Sequence, residues 1–169
     1  GAVYDGIVDG FPGIAPLDGT PDIAGNQLGV GGKPGATEER GIAEFPLAVA
    51  LGGLTADGIT SSVLTFNVDD VLSTFGPGTD FDGTASERIQ IYVYSGDGTI
   101  ALGDFSHATG TPAAVVNTGA QGSITDATLA ASGPVVFAVD LTAQVKALVQ
   151  GGAPHLGIVF ATDDADSGT

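Results

Sequence analysis

Apolar and polar residues alternate along several short stretches of this chain. Within residues 59–68, Leu64, Phe66 and Val68 alternate with Thr65 and Asn67. Within residues 88–94, Ile89, Ile91 and Val93 alternate with Gln90, Tyr92 and Tyr94. A period of two puts one set of side chains on a buried face and the other on the opposite face, the pattern of a strand. Residues 134–139 and 155–160 are compact apolar runs of strand length. Residues 40–45 predict a half-buried strand with Glu44 between apolar neighbours, bent or ended by Pro46. Residues 3–8 predict another, and 26–30 and 122–125 have weaker strand character. Ser95-Gly96-Asp97-Gly98 has the chemistry of a hairpin turn, with a short returning strand over 99–102.

One stretch has a different period. Leu141, Val145, Leu148 and Val149 fall on one face of a helix over residues 141–150. Asp140 or Thr142 can cap its start, Gly151, Gly152 and Pro154 stop it, and Lys146 sits toward the end where the dipole favours a cation. Seven to nine short strands and one helix predict an all-β, antiparallel β-sandwich. The chain reads as a single domain, with an extended arm or first strands over 1–37 and the sandwich over 38–169. The arm is punctuated by Pro12, Pro16, Pro21 and Pro34.

Composition supports the strand-and-turn reading. Among 169 residues, 43% are hydrophobic, enough for a core, and 28 glycines supply the positive-φ positions of tight turns. Charge narrows the partners. Four basic residues face 20 acidic ones, a formal net charge of −16 that repels phosphate backbones and anionic membrane surfaces. Nucleic-acid binding is therefore not expected, and cations are the natural partners. The plainest role of such a surface is solubility in a salty or calcium-rich medium. No stretch approaches the ~18 apolar residues needed to span a bilayer. With no cysteine there is no disulfide or thiolate chemistry. Together with few lysines and a start at Gly1, this fits a protein exported to the cell surface or beyond after loss of a signal peptide.

The order of elements resembles a known family. Arg40-Gly41-Ile42 leading to Phe45, the run at 59–65, Ile91-Tyr92-Val93-Tyr94, the run at 136–142 and His155-Leu156-Gly157-Ile158 are similar to the DNRLRE-type (disaggregatase-related) modules of exported bacterial proteins, some of which carry PEP-CTERM sorting tails. The resemblance covers residues 38 to 162 and rests on core and turn patterns. It implies a jelly-roll sandwich used as a carbohydrate-binding, adhesive or matrix-associated module. It also implies a further strand beyond the acidic residues at 163–168, where this sequence stops. Either the sequence is cut short there, or a sheet edge is left open for an extended arm of another chain, such as 1–37, to fill.

Few residues offer chemistry. His107 and His155 stand in no nucleophile or zinc motif, so no catalytic residues and no enzymatic activity are expected. His155 reads as a structural hydrogen-bonder at a strand entrance, and His107 as a solvated loop residue. Calcium takes six to eight oxygens from flexible loops, and two acidic clusters offer them: Asp163, Asp164 and Asp166, and Asp80 with Asp82. Neither has EF-hand spacing, and solvated loops are the competing reading. Tyr92 and Tyr94 share a strand face and would make a small platform for a sugar ring, unless they lie in a second layer or under a loop. The expectation is an extracellular structural or adhesive protein that self-associates in a filament or biofilm matrix. The alternative is a module that binds polysaccharide with calcium-stabilised loops.

Overall fold

The computed structural model describes residues 4–10, 31–32, 38–68, 88–117 and 132–162. In chain order these form β1 (Tyr4–Gly10), β2 (Gly31–Gly32), β3 (Glu38–Pro46), helix α1 (Leu47–Leu51), a 3-10 turn (Ala56–Gly58), β4 (Val63–Val68), β5 (Arg88–Gly96), a second 3-10 turn (Leu102–His107), β6 (Ala114–Asn117), β7 (Val135–Asp140), α2 (Thr142–Gln150) and β8 (His155–Thr162). All strand pairs are antiparallel. The larger sheet has the order β1-β3-β8-β5-β6, with β2 also on β3, and the smaller one pairs β4 with β7. The expected antiparallel all-β sandwich is the observed architecture.

The core lies between the sheets. Ile89 and Ile91 of β5 and Ile158 and Phe160 of β8 face Leu64, Phe66 and Val68 of β4 and Phe137 and Val139 of β7. Phe66 stacks on Phe137 at 5.4 Å and meets Phe160 edge-on at 5.2 Å, one aromatic bridging both layers. Helix α2, with Leu141 just before it, closes one end of this core: Leu141 and Val145 are buried, and Leu148 and Val149 pack beside them. The N-cap position is Leu141, not Asp140 or Thr142, and carries no side-chain cap, but both expected residues hold the helix entrance from either side of it. The Asp140 carboxylate accepts the Thr142 N–H (2.8 Å) and its hydroxyl, and Thr142 Oγ1 accepts the N–H of Ser62 at the entrance to β4 (2.8 Å). Lys146 falls before the last turn, which holds no basic residue, so it does not answer the helix dipole as expected.

One local expectation holds and two give way. Pro46 does end β3, but α1 follows at once, its first N–H (Leu47) bonded to Pro154 O at 3.0 Å and its last turn closed by left-handed Gly52. The stretch 59–68 is strand only from Val63; Ile59 is buried in the core beyond a 3-10 turn. The returning strand at 99–102 does not form. Thr99 N–H is taken by Asp97 Oδ1 (2.8 Å), and the chain crosses over the outer face of the large sheet, burying Ile100 and Phe105 there. The partner of β5 is instead β6, from a stretch with little strand signal. The weak strands at 26–30 and 122–125 lie outside the described residues.

Candidate functional site

The crossing segment creates the most polar interior in the described structure. On the face of the large sheet away from the sandwich core, β3 presents Arg40, Ile42 and Glu44, β8 presents Gly157, Val159 and Ala161, and β5 presents Gln90, Tyr92 and Tyr94. Residues 97–108 cover this face, and Ile42, Tyr92, Tyr94, Ile100, Phe105, Val159 and Ala161 form a second apolar cluster beneath them. The central strands β3, β5 and β8 are thus buried on both sides.

Glu44 sits inside this layer with no exposure at all. A buried carboxylate persists only with partners. The Tyr94 hydroxyl donates to Oε1 (2.9 Å) and the Gly98 N–H donates to Oε2 (2.6 Å). Strand register explains how they meet. Glu44, Gly157 and Tyr94 occupy one cross-strand row, and the tyrosine ring lies across the middle position to reach the glutamate. Any Cβ on Gly157 would come within 2.3 Å of that ring, and one on Gly96 within 2.5 Å of the carboxyl carbon. Two glycines inside strands, a residue type that usually weakens a strand, here make room for a close approach.

The covering segment is held from several points. Arg40 Nη1 donates to Phe105 O (2.5 Å), and its guanidinium lies 4.1 Å from the Phe105 ring centre. His107 stacks nearly parallel on Tyr94 at 4.2 Å and approaches Asp104 at 3.7 Å. Asp104 Oδ2 accepts the Ala101 N–H (2.8 Å). Burial pushes the Tyr94 phenol far above its ordinary range, helped by its bond to Glu44 and by nearby carboxylates. Burial also raises the Asp104 carboxyl, opposed by the Ala101 N–H. Tyr94 therefore stays a proton donor to Glu44 at every ordinary pH. The arrangement works as a latch that fastens the crossing segment to the sheet.

The predicted site residues fall differently. Tyr92 and Tyr94 do share the face opposite Ile89 and Ile91, but each is only 8% exposed and lies under the loop, so they offer no open platform for a sugar ring. The Tyr92 hydroxyl donates to Gln90 Oε1. Asp80, Asp82, Asp163, Asp164 and Asp166 lie outside the described residues. Among the described residues no group of three or more His, Asp or Glu side chains is placed to hold a metal ion. At His155, expected to be a structural hydrogen-bonder, Nδ1 is buried without a partner and the ring packs against Gly98. His107 is exposed, as expected, with 44% of its side chain accessible, but one ring face stacks on Tyr94.

Glu44, Arg40, Asp104 and Gly157 were not singled out by sequence reasoning as a constellation. One signal was present. Arg40, Ile42 and Glu44 share a parity, so the two charged residues flank a buried isoleucine on one face. Family models, curated proteins and solved structures contain no match to this chain.

Proposed function

We propose that this chain is a non-catalytic, extracellular structural or adhesive protein, a β-sandwich unit of a surface filament or matrix assembled through strand-edge contacts. One observation carries the reading: the large sheet is covered on both faces around its centre, while its edges are β1 and the four-residue β6 among the described residues. Edges present unpaired backbone groups, so they are where a covered sheet can still recognise another chain. The polar interior supports the same reading, because Glu44 and Tyr94 satisfy each other beneath a fastened segment rather than facing a cleft. The strongly acidic composition suits a molecule working in a cation-rich medium. The resemblance to DNRLRE-type jelly-roll modules points in the same direction. Among the described residues no helix is long and apolar enough to cross a membrane.

Negative-stain imaging of the protein at high concentration, with and without divalent cations, tests this. Fibres or extended arrays are the expected result. Isolated particles under all conditions would overturn it and return attention to the polysaccharide-binding alternative.

A further inference from the structure

We propose that β1 is an exchangeable strand, and that its partner in the assembled state is β3 of a second copy of this chain. The inference rests on the assembly reading above and names the contact. Its starting point is the register. β1 pairs with β3 over seven positions, from Tyr4↔Glu44 to Gly10↔Glu38, and makes one edge of the large sheet. β2 occupies the other side of β3 at the same level, with Gly31↔Glu39 and Gly32↔Glu38. The chain leaving Gly10 must therefore pass only from one flank of β3 to the other, about 10 Å at two interstrand spacings.

It has far more length than that. Residues 11–30 separate the two strands, and 20 residues reach up to about 70 Å when extended. A globule of this size has a radius of gyration of about 16 Å, hence a diameter of roughly 40 Å. The link can carry β1 to the β3 edge of a neighbouring copy while β2 and β3 stay with their own body.

Energetics make the exchange nearly neutral in contacts. The same seven register positions are filled by the same residues whether β1 comes from its own chain or another. What differs is concentration: a strand tethered to its own body meets its own β3 at an effective concentration in the millimolar range. Dilute chains close on themselves, and crowded ones exchange. When each copy gives its strand forward and receives one from behind, the contact is head-to-tail and generates a filament unless the rotation closes into a ring.

The absence of cysteine permits a direct test. Asp9 and Glu39 are register partners, so replacing them removes no attractive charge pair. Directly opposed residues on antiparallel strands have Cα atoms about 4.5–5.5 Å apart, within disulfide range. An Asp9→Cys chain with a heavy-isotope label is mixed with an unlabelled Glu39→Cys chain, concentrated and oxidised, and the dimers are resolved by mass. Exchange predicts a mixed dimer several-fold more abundant than both like-with-like dimers combined. The equal share expected of random collisions would overturn it. In a second arm, the Asp9→Cys/Glu39→Cys double variant is oxidised at high dilution, which locks β1 onto its own β3. The locked chain should fail to assemble and recover on reduction. Assembly of the locked chain at the unlocked rate would refute strand exchange while leaving the filament reading intact. Mixed dimers from a protein that never forms fibres would do the reverse.

Discussion

Replacing Gly157 with alanine should destabilise the protein by more than a methyl group on a strand ordinarily does. In an unconstrained strand the change is favourable by roughly 0.5–1 kcal/mol, because glycine has more freedom to lose on folding. Here the new Cβ would stand 2.3 Å from two atoms of the Tyr94 ring. To reach an ordinary contact the ring must move more than 1 Å, against His107 stacked on it at 4.2 Å. Forcing an extra carbon into a packed site costs about 1–3 kcal/mol. The displaced hydroxyl also leaves Glu44 Oε1, and an unsatisfied buried acceptor costs about 1–3 kcal/mol more. The sum, roughly 2–6 kcal/mol, is a large share of the 5–15 kcal/mol typical of a folded domain. Urea unfolding of Gly157→Ala, Tyr94→Ala and the double variant measures it, provided the m-value is unchanged. In the Tyr94→Ala background the ring is gone, and the alanine at 157 should cost nothing or stabilise slightly. Equal costs in both backgrounds would show that the Glu44–Gly157–Tyr94 row does not hold the face together.

Three other outcomes follow from the same region and from α2. Glu44→Gln keeps the shape but loses an acceptor oxygen opposite Tyr94 or Gly98, so denaturant unfolding should show a loss of about 1–3 kcal/mol. Tyr94, with its folded pKa raised, contributes stability that is complete below the unfolded tyrosine value of about 10 and is lost as pH rises above it. Melting temperature should fall more steeply above that pH in the wild type than in Tyr94→Phe. Asp140 behaves oppositely: its carboxyl is held low by the Thr142 hydroxyl and N–H, so its contribution is present above the ordinary aspartate range and is lost on acidification through the lowered value. An Asp140→Asn variant should therefore show a shallower acid limb in a melting series from pH 6 to pH 2.

The sandwich was legible because its inner faces follow a period of two. Leu64, Phe66 and Val68, and Ile89, Ile91 and Val93, declare which side of each strand is buried, and α2 declares itself through the helical spacing of Leu141, Val145, Leu148 and Val149. The outer layer was not legible for a physical reason. When both faces of a strand are covered, alternation stops carrying information: Gly157 to Ala161 are all buried. A tyrosine on the second face then looks the same in sequence whether it meets solvent, a sugar or a covering loop. The Gly96-Asp97-Gly98 turn was recognised, but its direction depends on a long-range bond, Gly98 N–H to Glu44, that no local pattern encodes. Asp97 drawing Thr99 N–H away from a ladder was the local hint.

The position of β8 has a consequence for how the chain comes together. It is the last described strand, yet it lies between β3 and β5, with Ala43 opposite Ile158 across about 115 intervening residues. During synthesis β3 and β5 emerge early and wait, each with a bare ladder side, until residues 155–162 arrive to join them. Contacts this distant in sequence are closed late and slowly. The nascent protein is most exposed to mispairing in that interval, and the keystone of its main sheet is the last of the described strands to be supplied.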